Sequence, residues 1–495
     1  MRVLKKLGVT FIVLALVGFA GAQTWTRVTP TTTPAAGFAA MLLLTDGTVM
    51  VQDNFSPSNW YRLTPDAAGS YINGTWKPAA SMPLGYGPLY FGSSVIPDGR
   101  LLVEGGEYNF GVLAWTNQGA IYDPVADSWT PVDPPPGWNQ IGDAQQMILA
   151  DGRIMQSSCC DYFPKHLAYF DPKTLSWTPA DTLNSKFDAY DEEGFTLLPD
   201  GKILSVDTYL FGMGSTGTNA ELYDPATGMW SLTANTPTQM WDAAEHEMGP
   251  AVLRPDGTVF QAGAVPVTAI YHTKTSSWTA GPDFPDNLDI ADGPAALETN
   301  GKVLMMVSIG YLQRPSTFLE WDGKHLGPIA GPPNAGIDSS FYGHMLELPT
   351  GQILFTDFSN DVEVFTPKAE GRKEREEDDE DRAADWAPKV LFSPFAVAKG
   401  HTYQVSGYRF AGMSQGAAYG DDYQSATNYA LVRLTNLESG HVFYARTHDP
   451  SSYALQSREV QKTHFDVPAH MERGIAKMEV VTNGLASEAR FVFVF

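Results

Sequence analysis

Cysteine is almost missing from this chain of 495 residues: there are two, Cys159 and Cys160, side by side. Two thiols cannot build a four-sulfur zinc cage, and no Cys-x-x-Cys is present. The adjacent pair leaves two readings open, a vicinal disulfide or two buried thiols. Basic residues are also scarce. Lys and Arg number 32 against 56 Asp and Glu, a net charge of -24. That argues against nucleic acid as a partner, because phosphate binding needs clustered Lys and Arg. Beyond the N-terminus no run is long and apolar enough to cross a bilayer. Helix signals are poor too: with 46 Gly, 35 Pro and 12% aromatics, short β-rich runs alternate with turn residues. The chain reads as all-β.

The one apolar run is N-terminal. Arg2, Lys5 and Lys6 precede Leu7 to about Phe19, and Ala20-Gly21-Ala22 supplies small residues at a cleavage site. Residues 1–22 read as a signal peptide of an exported protein, extracellular or periplasmic.

A short turn recurs seven times, an Asp-Gly or close variant between two apolar runs. Its glycines are Gly47, Gly99, Gly152, Gly201, Gly257, Gly301 and Gly351, spaced by 44 to 56 residues. A period near 50 is that of kelch-type propeller blades. A second hairpin follows each turn, as in Tyr122-Asp123-Pro124 leading to Trp129, or Tyr223-Asp224-Pro225 leading to Trp230. A complete repeat therefore supplies four strands, with the tryptophans packing between blades. The seventh repeat lacks its tryptophan strand, and Thr24-Trp25-Thr26-Arg27-Val28 is a matching strand at the mature N-terminus. We expect it to close the ring and remove an open sheet edge. The resulting division is a seven-bladed β-propeller over residues 23–367, a charged linker over 368–388, and an immunoglobulin-like β-sandwich over 389–495.

This plan resembles the galactose oxidase and glyoxal oxidase family. Gln415 to Asp422, Thr427-Asn428-Tyr429 and Asp292 to Leu297 resemble a bacterial branch of it. The resemblance implies one copper held by two tyrosines and two histidines, one tyrosine being cross-linked to a cysteine. By register, the family's cysteine falls at Phe38 and its cross-linked tyrosine at Tyr90. The Tyr-His pair falls at Phe341-Tyr342, and the last histidine at His448 after Thr447. Tyr90 and His448 are thus the retained metal positions. Without the cysteine no thioether forms, and the copper-radical site reads as largely lost.

Counting back nine residues from each turn glycine gives a channel ring: Phe38, Tyr90, Asp143, Glu192, Met248, Asp292 and Tyr342. Glu193, His246, Glu247 and His344 are neighbours, with His344 two places after Tyr342, and Trp241 lies slightly earlier. The candidate ligand-binding residues are Tyr90, Asp143, Glu192, Trp241, Glu247, Asp292, Tyr342 and His344. Such carboxylates raise one another's pKa unless a cation or hydrogen-bond donors compensate. They suit Ca2+, which takes many oxygen ligands, or sugar hydroxyls, with aromatic rings as stacking faces. The leading reading is a secreted, monomeric protein binding carbohydrate or another small polar ligand at the channel mouth. The second is a divergent copper oxidase of alcohols or aldehydes that makes peroxide. The third is a glycan hydrolase or lyase using paired carboxylates. No catalytic residue is assigned.

Overall fold

In the fourth repeat, Asp200-Gly201 turns the chain between Thr196–Leu197 and Ile203–Val206. Gly201 takes a φ of +85°, a region open to a residue without Cβ. Its N–H donates to the Leu198 carbonyl at 2.9 Å, and the Asp200 carboxylate accepts from the Lys202 N–H at 3.1 Å. Ala220–Asp224 and Met229–Leu232 complete an antiparallel sheet in chain order.

The computed structural model describes residues 23–29, 37–160, 165–180, 186–208, 217–244, 246–368, 386–420 and 425–495. The signal peptide and most of the charged linker lie outside these. Among the described residues the chain is all-β, with three 3-10 turns, and seven sheets follow the four-strand plan. Their first strands touch in sequence. Phe38–Leu43 meets Gly92–Val95, which meets Gln146–Ile148. Met147 and Leu197 share one buried cluster. Thr196–Leu197 then meets Ala251–Leu253, followed by Pro294–Leu297 and His344–Glu347, which returns to Phe38–Leu43. The order is circular.

Burial falls from the first strands outward. Phe38–Leu43 is buried throughout, whereas the last strand of the same sheet, Thr75–Pro78, is mostly exposed. The tryptophans lie on these last strands and wedge neighbouring sheets. Trp129 packs on Tyr122 at 5.1 Å within its sheet and on Trp60 at 5.5 Å in the sheet before. Its indole N–H donates to the Ala80 carbonyl at 2.9 Å. Thr24–Arg27 pairs antiparallel with Glu363–Thr366, so the last sheet takes its outer strand from the N-terminal end of the described residues.

The C-terminal residues form a nine-stranded sheet running from Lys389–Phe392 to Ala396–Val397 in spatial order. Val432, Leu434, Phe465, Met478 and Val480 are in its core. One segment leaves it: Ala417–Tyr419 pairs antiparallel with Pro294–Leu297 as a fifth strand. Buried hydrogen bonds hold this excursion. Gln415 Oε1 accepts from the Leu197 N–H at 2.8 Å, and Glu347 accepts from Thr427 Oγ1 at 3.0 Å and from Asn483 Nδ2 at 3.1 Å.

Candidate ligand site

The entries to three first strands share a backbone feature. Tyr90, Glu192 and Asp292, each nine residues before a turn glycine, have φ of +54°, +56° and +51°. A left-handed conformation costs a residue with a Cβ on the order of 1–3 kcal/mol. Here it occurs where the chain turns into the strand, and the three side chains line one cavity of about 450 Å³. Asp143 and Glu247 line it as well, and Glu107 adds a fifth carboxyl. Tyr108, Tyr311 and Phe341 join Tyr90 as its aromatic walls. Tyr90 meets Tyr108 at 5.9 Å and Phe341 at 5.6 Å between ring centroids.

Withdrawal from water makes these acids weak. Desolvation, with the Asp143 charge second, pushes Glu107 up to about 8. Desolvation raises Asp292 to about 7, partly offset by its hydrogen bond with Glu247. Asp143 rises to about 6, again chiefly by desolvation. Asp191, packed behind Asp143, rises to about 7 through desolvation and then the Asp143 charge. Near neutral pH the site therefore holds both carboxylic acids, which donate, and carboxylates, which accept.

Of the eight candidate residues, five line the cavity: Tyr90, Asp143, Glu192, Glu247 and Asp292. The other three do not. Ser340–Tyr342 is a 3-10 turn rather than strand. It gives the lining position to Phe341, while Tyr342 packs on Phe358 at 5.3 Å and its hydroxyl accepts from Arg314 at 3.0 Å. The strand begins only at His344, so Tyr342 and His344, two places apart, do not share one strand. His344 instead stacks on Tyr419 at 4.8 Å, buried, and desolvation lowers it to about 3. Trp241 stacks on His246 at 5.1 Å and donates to the Gly217 carbonyl.

Neighbouring Glu193 points elsewhere. It accepts from the buried Lys186 ammonium at 3.0 Å, beside Asp207 at 3.1 Å and Glu221 at 2.5 Å. This three-acid cage holds the loop that presents Glu192.

Sequence reasoning did not find Glu107, Tyr108, Tyr311 or Phe341. Glu107 and Tyr108 sit in a long excursion between Leu101–Glu104 and Gly119–Asp123. There Pro88–Leu89, Tyr108–Asn109 and Val112–Leu113 form a small sheet of their own. Phe110, Leu113 and Trp115 are exposed on it. The unusual length of that connection was the available signal.

The residues do not fit a copper-radical centre. Phe38 is buried in a stack on Trp76 at 4.9 Å. Among the described residues no histidine lines the cavity. His448 lies in Val442–His448 of the C-terminal sheet, against Asp449 at 2.8 Å and stacked on His464. The C-terminal residue that comes beside a cavity carboxyl is Gly420, whose N–H donates to the Gly293 carbonyl. A Cβ there would lie 2.5 Å from Asp292 Oδ1. For metals generally, the described residues contain two close groups of side chains with ligating atoms, Asp143 with Cys159, Cys160 and Asp191, and His448 with Asp449 and His464. Neither joins three of the cavity carboxylates, as a Ca2+ site built on the ring would. The two cysteines form a disulfide.

No family model matches the chain. Among curated proteins it is 26% identical over 242 residues to the Kelch-like protein terF of Aspergillus terreus (strain NIH 2624 / FGSC A1156). That match spans 43% of this chain and 48% of the relative, about half its length. Among solved structures it is similar to a fungal alcohol oxidase of the AA5 family in complex with copper. The TM-score is 0.50 at 12% identity, covering 96% of this chain and 99% of that one. An extracellular domain of a two-component system protein from B. thetaiotaomicron gives 0.47 at 10% identity over 96% of this chain and 60% of that one. The likeness to the oxidase is one of fold. No helix among the described residues is long and apolar enough to cross a membrane.

Proposed function

We propose that this chain is an exported, galactose-oxidase-like protein, a seven-bladed β-propeller followed by an immunoglobulin-like sandwich, that binds carbohydrate at the channel mouth without copper-radical chemistry. The observation that carries this reading is the cavity wall: five carboxyl groups between four aromatic rings. Carboxylates accept from sugar hydroxyls, neutral acids donate to ring and hydroxyl oxygens, and aromatic faces cover the apolar faces of a pyranose. The circular order of first strands and the N-terminal strand in the last sheet support the propeller.

A glycan array tests the proposal, comparing wild type with Asp143→Asn, Asp292→Asn and Tyr108→Ala. Binding of a discrete set of glycans, weakened in all three variants, is expected. Failure to bind any glycan, or binding indifferent to all three changes, refutes it.

A second reading, glycan hydrolysis or lysis, is favoured by one observation. Glu107 is protonated at neutral pH while facing other carboxyls, which is how a general acid and its base partner divide their roles. Release of reducing ends from a bound glycan, abolished by Glu107→Gln with binding retained, would select it.

A further inference from the structure

Cys159 and Cys160 lie beside Asp143, which also lines the acidic cavity. Cys160 Sγ lies 3.5 Å from Asp191 Oδ1 and 3.8 Å from Asp143 Oδ1. In the disulfide neither sulfur carries a hydrogen to donate, so these approaches are not hydrogen bonds. One ligating atom from each of the four side chains lies within 4.8 Å of the others. Asp143, Cys159 and Asp191 are buried, and Cys160 is half-buried. The set is two sulfurs and two carboxylate oxygens, which suits a four-coordinate, thiophilic divalent ion once the sulfurs are thiolates.

The loop is held independently of the S–S bond. The Cys159 N–H donates to the Ile141 carbonyl at 2.9 Å, and the Cys159 carbonyl accepts from Gln140 Nε2 at 3.2 Å. Gly142, with φ of +69°, lies beneath the sulfur, and a Cβ there would come within 2.1 Å of Cys159 Sγ. The Cys159 backbone, and that of Asp191, whose carbonyl accepts from Thr208 Oγ1 at 2.7 Å, are thus held by bonds that do not depend on the disulfide.

We propose that Asp143, Cys159, Cys160 and Asp191 form a redox-gated site for a thiophilic divalent cation of the zinc and cadmium class. It is closed while the cysteines are joined and open when they are reduced. A dithiol reductant supplies two electrons and two protons. The S–S bond breaks, two thiols form, and the reductant becomes its own disulfide. The incoming cation then displaces both thiol protons, and any proton held by Asp143 or Asp191, to solvent and takes two thiolates and the two carboxylates as ligands. Asp143 faces the cavity as well, so loading couples the redox state of the pair to the acidic pocket. The proposal stands whether or not the pocket binds carbohydrate.

The test uses the mature chain, oxidised or reduced with dithiothreitol and desalted under argon, titrated with Cd2+. The readouts are the ultraviolet thiolate-to-cadmium charge-transfer band and the stoichiometry. The reduced protein is expected to bind one Cd2+ with the band, and excess Zn2+ to abolish it. The oxidised protein is expected to show no band. Asp191→Asn and Asp143→Asn should keep the band and weaken binding by about tenfold or more each. Far-ultraviolet circular dichroism follows folding at each step. The proposal is overturned if the reduced protein binds no Cd2+, if both Asp variants bind like wild type, or if reduction alone unfolds the chain. Glycan binding measured on the oxidised protein is a separate readout, so loss of one result leaves the other standing.

Discussion

Tyr90 and Asp292, at the entries to different sheets and 202 positions apart in the chain, carry the same left-handed backbone, with φ of +54° and +51°. Each stands nine residues before its turn glycine, and both side chains line one cavity. With Glu192, three of the seven positions in the repeating register thus share one backbone conformation. The strain falls where the side chains converge.

Asp292→Gly separates conformation from chemistry. Glycine adopts this φ without penalty, and the substitution removes a desolvated carboxyl. Relief of about 1–3 kcal/mol of backbone strain outweighs the roughly 0.4–1 kcal/mol that glycine adds to the unfolded chain's entropy, so stability should rise by about 1 kcal/mol in denaturant titrations, while binding to the cavity is lost. A fall in stability would show that the Asp292 side chain itself holds the entry to Pro294–Leu297.

The acids of the cavity make stability depend on pH. Glu107 is raised from 4.5 to about 8, Asp292 from 3.8 to about 7 and Asp143 from 3.8 to about 6. Folded-state values above the unfolded ones mean that the native state binds more protons between them. Stability therefore falls as pH rises through that window, from about 4 to about 8. Melting temperatures across this range should decline, and Glu107→Gln should flatten the upper part. A melting temperature that climbs steadily from pH 5 to pH 8 would contradict the assignment.

Lys186→Met leaves Glu193, Asp207 and Glu221 buried together without their cation. Breaking a buried ion network by removing one partner costs on the order of 3–5 kcal/mol. Urea unfolding should report a loss of that size. Because Glu192 is presented by the same loop, ligand binding should weaken as well.

Trp25→Ala tests the closing strand. Trp25 packs on Phe318 and Phe365 at 5.0 Å and donates its indole N–H to the Ala330 carbonyl at 2.7 Å. Truncation should cost about 3 kcal/mol. Limited proteolysis should then cut first near the N-terminus and around Glu363–Thr366. Cleavage unchanged from wild type would show that this strand contributes little to closure.

The sequence by itself determined the local part of this protein. An Asp-Gly turn carries its own instructions: a glycine for the left-handed residue and a carboxylate for the next free N–H. The hairpins, their order and the tryptophan strands were therefore legible without distant contacts. So were four of the cavity residues, because the same turn measures the same distance back to each strand entry, with Glu247 found as the neighbour of Met248. Only the tertiary structure decided the rest. A 3-10 turn exchanged Tyr342 for Phe341, which no count along a regular strand anticipates. The excursion carrying Glu107 and Tyr108 folds over the cavity because of pairings with Pro88–Leu89, not because of any repeat. Glu193 turned from cavity to core because Lys186 lies behind it. The C-terminal residue that reaches Asp292 is Gly420 rather than His448, because Ala417–Tyr419 pairs with Pro294–Leu297. Each of these depends on groups far apart in the chain, whose meeting is set by packing and charge rather than by local backbone preference.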